Sequence, residues 1–405
     1  MIALWSLLLR ASANPATLFC LNVAMFWSGL ALCVAAITEH ALARVALLLA
    51  FGMTPLALAE MAHVLTDAHL AAVLVLATGF AAWGLTSRRR VALVVCVVLL
   101  IYAGWVRHNA LVAILPYGAL VAPALLRTRS RGFVAAVSCA LGLTVLSAAS
   151  AWVLDRALVV QRFTVWPSIA LWDLAAISVD RNILLLPSFT HGRGLTVDEL
   201  RETGAFDPAA NTFLFQKSRS GVKDGLLEAY TADQLRELRA AWIDAVRRFP
   251  MTYALHRLRT FRLLIGSHRG DIQGMAYFNT RTQYLDNPAL PEALTPRIQA
   301  AFYRMAGALS SGWIFSALPY LMLAIAAWII AWRRRRQPVA RVALAVSGAA
   351  LLYAAGYFPL APAADLRYLT WPIIAGPLAL GLALSKRALS RKAEAEHDFA
   401  RAAIE

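Results

Sequence analysis

The chain has 405 residues, of which 60% are hydrophobic and 15% charged, with a formal net charge of +16. A soluble globular protein carries about 25% charged and roughly 45–50% apolar residues, so this composition excludes ordinary soluble enzyme folds and points to lipid as the solvent. The basic excess is not a nucleic-acid footprint, because its arginines fall in short clusters between long apolar runs, the pattern that orients membrane helices.

From the amino end, MIALWSLLLRASANPATLF has no basic region ahead of its apolar part and no convincing cleavage site, so it does not read as a signal peptide. A helix needs roughly 20 mostly apolar residues to cross a bilayer, with every backbone amide paired inside the hydrocarbon. About nine segments qualify: 16–37, 41–60, 68–86, 90–106, 109–126, 132–154, 310–331, 340–360 and 369–386. The pair 90–106 and 109–126 is short, separated only by Arg107, His108 and Asn109, and reads either as two spans or as a broken, re-entrant pair. Cys20, Cys33, Cys96 and Cys139 all lie in apolar runs without metal-ligand spacing, which argues against both a disulfide framework and a cysteine metal site.

Four basic clusters flank these segments: Arg88, Arg89 and Arg90; Arg127, Arg129 and Arg131; Arg333 to Arg336; and Lys386, Arg387, Arg391 and Lys392. With nine spans they all fall on one side, which the positive-inside rule makes the cytoplasmic one. The expected protein is therefore an all-α polytopic membrane protein: six helices in 1–154, a mainly helical external domain in 155–309, three helices in 310–386 and a cytoplasmic tail in 387–405. Its amino terminus and residues 155–309 are external.

Within the external region, where most of the 23 acidic residues lie between Asp173 and Glu292, FTVWPSIALWDLAAISVDRNILLLP is apolar but broken by Pro167, Asp173, Asp180 and Arg181. It is expected as a half-buried element near the membrane face rather than a further crossing. Thr231 and Gln234 have the spacing of a capping box for a helix reaching about Phe249, with Leu235, Leu238, Trp242 and Ala245 near helical period. Pro250 opens the next element, MTYALHRLRTFRLLIG, whose mixture of apolar residues with His256, Arg257, Arg259 and Arg262 suits a helix on the external membrane surface, its basic groups reaching phosphate.

Polar residues inside or beside apolar runs are the candidates for function. Asp67 sits at an external mouth with Glu60, His63 and His69 nearby, suited either to a solvated loop or to an acid at the lip of a cavity. Arg107, His108 and Asn109 form a polar break in which the Arg fork matches phosphate, unless it anchors the interface. Asp173, Asp180 and Arg181 are read as a general base or as structural pairing, and Asp365, Arg367 and Tyr368 repeat that chemistry near the last span. The Arg333 to Arg336 cluster needs only anionic headgroups. No P-loop, dinucleotide fingerprint, HExxH or nucleophile elbow is present in the sequence.

The stretches LTDAHLAAVLVL, YAGWVRHNALVAILPYG and LWDLAAISVDRNILLLP, with HRLRTFRLL and DLRYLTWP, together resemble polytopic bacterial membrane proteins of the dolichyl-phosphate-mannose/arabinosyltransferase-like superfamily, the GT-C glycosyltransferases. The resemblance covers most of the chain and implies a bacterial inner membrane as host, with 155–309 in the periplasm. It implies transfer of a sugar from a polyprenyl-phosphate donor to an envelope lipid or glycan acceptor, with membrane lipids and no nucleic acid as partners, and often with a divalent cation, Mg or Mn. Asp67, Asp173 and Asp180 would be the acidic candidates. Arg107, His108 and Arg367 would take the donor phosphate, and Arg257, Arg259 and Tyr368 the acceptor or lipid interface. The chain departs from the family in beginning where the second helix would, so that the first helix and the loop carrying the principal carboxylate are expected upstream of Met1 or lost. Two other classes compete: a lipid or glycan transporter or flippase, and a noncatalytic assembly subunit.

Overall fold

A computed structural model describes residues 2–12, 14, 16–62, 64–126, 133–159, 164–192, 194–266 and 312–385, with isolated positions between 297 and 308. His63, the cluster at Arg127, Arg129 and Arg131, the basic group from Lys386 onward with the tail, and the expected external residues 267–296 lie outside them. Among the described residues all regular structure is helical, apart from one isolated antiparallel bridge between Ala210 and Ala363. The chain divides into two compact units, one of 1–157, 274–355 and 367–405, the other of 158–273 and 356–366.

The first unit is a membrane bundle. Among the described residues, five helical stretches are long and apolar enough to cross a bilayer: α2 (Ala16–Ile37), α5 (Thr66–Thr86), α8 (Phe133–Leu158), α14 (Pro338–Leu360) and Leu366–Leu384, which contains α15 (Thr370–Leu384). Ahead of α2 runs α1 (Ile2–Ser12). A sixth candidate is the pair α3 (Ala41–Gly52) and α4 (Pro55–Met61), bent by 66°. The bend is local chemistry: Pro55 opens α4, and Thr54 Oγ1 caps it by accepting from the Ala57 amide at 3.3 Å. Three further apolar helices of 17 residues, α6 (Arg90–Val106), α7 (Ala110–Leu126) and α13 (Ala317–Arg333), fall on the remaining expected spans but are shorter than a full crossing.

The centre of this bundle is α5, of whose apolar window 78% is enclosed against 17% for α8. In lipid, apolar surface alone does not drive helices together, so close contact depends on small residues and internal hydrogen bonds. Gly29 on α2 and Gly79 on α5 supply it: a Cβ on Gly29 would stand 2.6 Å from the Leu76 amide nitrogen, and one on Gly79 2.7 Å from the Gly29 carbonyl oxygen. Interior hydroxyls are satisfied locally. Thr78 Oγ1 donates to the Leu74 carbonyl at 2.7 Å and lies 2.5 Å from the Tyr117 hydroxyl, while Ser347 donates to Ala343.

The second unit is built around α9 (Trp166–Arg181), with α10 (Val197–Glu202), α11 (Ala232–Arg248) and α12 (Pro250–Leu264). The expected half-buried element at a membrane face is instead the core of this unit: Ala170, Leu171, Trp172, Leu174, Ala175 and Ile177 are fully buried beside Leu200, Leu214, Leu238 and Ala245. Its polar breaks serve the fold, because Pro167 starts the helix and Asn182 ends it in the left-handed region at φ 56°. The capping box of Thr231 and Gln234 forms as its spacing predicts, and Thr196 with Glu199 makes a second one on α10.

Candidate functional site

Three distant parts of the sequence meet at one end of the membrane bundle. Asp67 lies in the first turn of α5, where the helix dipole favours negative charge, and its side chain is 6% exposed. Arg107 ends α6 in an extended conformation, and from that break its guanidinium, 21% exposed, forms an ion pair with Asp67. The same guanidinium stands 5.6 Å from the centre of the Tyr368 ring, and Arg367 stands 5.4 Å from that ring. Glu60, buried on α4, is joined to the start of α15 through Thr370, whose hydroxyl lies 2.8 Å from Glu60 Oε2 and 2.7 Å from the Arg367 carbonyl oxygen. Two guanidiniums, the Asp67 carboxylate and an aromatic ring thus converge, with Glu60 linked to the Arg367 backbone through Thr370. Such a group suits an anionic, oxygen-rich ligand, since arginine forks match phosphate and an arriving phosphate competes with Asp67 for Arg107.

Of the residues singled out from sequence, Asp67, Arg107, Arg367 and Tyr368 are brought together here, while His108 is exposed at the turn following Arg107. Deeper on the same helix, His69 has its Nδ1 2.6 Å from Asn22 Oδ1 and its Nε2 2.7 Å from the Tyr102 hydroxyl. The roles of Asn22 and Tyr102 escape a linear reading. The available signal was Asn22, alone in an apolar run, since a polar side chain in a membrane is costly enough to require a partner.

In the second unit, Asp173 is fully buried on α9, and its Oδ2 accepts from Arg257 Nη2 at 2.5 Å and from Trp242 Nε1 at 3.0 Å. Arg257, 1% exposed, also donates through Nη1 to the Ala361 carbonyl at 2.8 Å. The structure therefore turns Arg257 inward rather than toward a headgroup layer. A buried charge is tolerated only when paired and hydrogen-bonded, and this pair ties α9, α11, α12 and the 356–366 segment together. His256 lies 3.4 Å from Asp173 Oδ1 and edge-on to Trp172. Burial pushes its pKa down from the usual 6.5, opposed by the Asp173 carboxylate and reinforced by Arg257 and Arg259. Asp180 sits at the end of α9, accepting from the Thr252 hydroxyl at 3.0 Å, with Arg181 beside both. Arg259 is exposed, on the α12 face that also carries exposed Met251, Leu255 and Leu258.

Among the described residues, no group of three or more His, Cys, Asp or Glu side chains is arranged to hold a metal ion. The Asp67 carboxylate is engaged by the Arg107 guanidinium. No family model, characterised protein or solved structure matches the chain.

Proposed function

We propose that this polytopic membrane protein binds a polyprenyl-phosphate-linked sugar at the Asp67, Arg107, Arg367 and Tyr368 group and transfers the sugar to an envelope lipid or glycan acceptor, in the manner of the GT-C glycosyltransferases. The observation that carries this reading is the convergence of Arg107 and Arg367 on Tyr368, beside a buried Asp67. Donor phosphate would draw Arg107 away from Asp67, so that the guanidiniums balance the charge that grows on the leaving phosphate. Arg259 and the exposed apolar residues of α12 would rest on the lipid surface. The accompanying topology is nine crossings of a bacterial inner membrane, with the amino end and residues 155–309 external and the carboxyl end cytoplasmic.

The test uses full-length protein in nanodiscs and a synthetic polyprenyl-phosphate hexose or pentose. A charge-assisted hydrogen bond is worth about 1.5–3 kcal/mol, so Arg107→Ala should weaken donor binding roughly 10- to 150-fold, while Arg336→Ala leaves it unchanged. Equal binding by both variants, or a wild-type chain that binds donor and never releases polyprenyl phosphate, removes the transferase reading.

A second reading rests on the ion pair itself. A carboxylate held by a guanidinium is a weak base and suits a binding gate, as in a carrier or flippase for the same lipid. Movement of labelled lipid across vesicles without product formation would favour it.

A further inference from the structure

We propose that Asn22, His69 and Tyr102 form a proton relay in the membrane unit, and that the Tyr102 hydroxyl is the catalytic group that takes the proton from the acceptor hydroxyl. This inference rests on the transferase reading given above. It supplies a base other than Asp67, whose carboxylate is ion-paired with Arg107 before donor phosphate arrives.

The geometry assigns each member a role. His69 is 0% exposed and uses both ring nitrogens, Nδ1 toward Asn22 Oδ1 at 2.6 Å and Nε2 toward the Tyr102 hydroxyl at 2.7 Å. An amide oxygen only accepts, so Nδ1 carries the hydrogen and Nε2 is left to accept from Tyr102. This is the logic of a nucleophile or acid, a base and an orienting group held in line by hydrogen bonds. Only the far end is reachable: Asn22 and His69 are enclosed, whereas Tyr102 is half-buried. Its ring is held edge-on by His69 at 5.6 Å and Trp105 at 6.1 Å, and Trp105 is itself fixed by donating to Ser150 at 2.8 Å. Tyr102 also lies little more than one helical turn before Arg107 on α6, at the same end as the anion-binding group.

A second observation concerns cost. Among the described residues, Asn22 Nδ2 is buried with no hydrogen-bond partner. An unpaired amide donor costs about 1–3 kcal/mol, and a Leu at that position of an apolar helix would avoid it. What the amide contributes in exchange is its oxygen, which holds His69.

In the proposed step the acceptor oxygen forms a bond to the anomeric carbon, and the bond from that carbon to the donor phosphate oxygen breaks with its electron pair. The acceptor proton moves to the Tyr102 oxygen as the Tyr102 proton moves to His69 Nε2. The products are the glycosylated acceptor, polyprenyl phosphate facing Arg107 and Arg367, and an imidazolium that Asn22 Oδ1 stabilises. The proton then returns through Tyr102 to water.

Release of polyprenyl phosphate from the synthetic donor, with a total envelope lipid and glycan extract as acceptor, reads the step in full-length protein. Positioned acid–base groups contribute about 10²–10⁴-fold, so Tyr102→Phe and His69→Gln should each lower kcat at least roughly 100-fold, with donor Kd within about threefold of wild type. His69→Gly should regain at least about a tenfold rate on addition of imidazole, which a purely structural histidine would not permit. If Tyr102→Phe and His69→Gln release polyprenyl phosphate at the wild-type kcat, the relay is overturned and the transferase reading stands. If wild-type protein binds donor and turns nothing over, both fall.

Discussion

His256 and Asp173 illustrate how a residue's surroundings reverse its reading. In the sequence, HRLRTFRLL offers three arginines and a histidine to an imagined lipid surface, yet α12 presents two faces and only Arg259 and Arg262 emerge. His256 and Arg257 face inward to the α9 carboxylate. An unfolded His titrates near 6.5, and His256 in the folded domain resists protonation to lower pH. The unfolded state therefore binds more protons as the pH falls. The contribution to stability is complete above about pH 6.5 and diminishes below it, toward the lowered folded-state pKa. Thermal unfolding followed by tryptophan fluorescence should show the midpoint falling between about pH 7 and 5, with a shallower slope in His256→Asn. An unchanged slope would mean that another group governs the acid limb.

Elements are legible where their determinants are local. The Thr231 and Gln234 spacing and Pro250 predict the start of α11 and the junction with α12, because a cap is an interaction within one turn. The bend between α3 and α4 has an equally local cause in Thr54 and Pro55. Helix pairing is different. Gly29 and Gly79 are unremarkable in sequence, but each lets the α2 and α5 backbones touch, whereas Gly142 on α8 has open space around it. Gly29→Ala should therefore force these helices apart and lower the thermal midpoint of the detergent-solubilised protein by several degrees, a cost above about 2 kcal/mol. Gly142→Ala should stay within about 1 kcal/mol of wild type. Equal effects would show that α2 and α5 do not pack through these glycines.

For the whole molecule, α13 decides on which side of the membrane the carboxyl end lies relative to residues 158–266. Seventeen residues of helix span roughly 25 Å against a hydrocarbon core of about 30 Å. Its carboxyl end carries the stacked pair Trp328 and Trp332, with Arg335 over the Trp332 ring and Arg333 to Arg336 following. Interfacial aromatics and snorkelling arginines let a short helix cross with local thinning of the bilayer. If α13 crosses along with α14 and α15, reporters inserted near residue 225 and fused after Ser385 lie on opposite sides, the first external. Reporters on the same side would mean that α13 does not cross.

Membrane residence, helical class and the ends of several elements were determined by sequence alone, because apolar run length, capping and proline act over a few residues. Only the tertiary structure decided that α9 is a buried core helix, that Arg257 belongs to Asp173, that Asp67, Arg107 and Tyr368 meet, and that His69 joins Asn22 to Tyr102. Those pairings join segments far apart in the chain. Many arginines were available to each carboxylate, and helix packing selected among them.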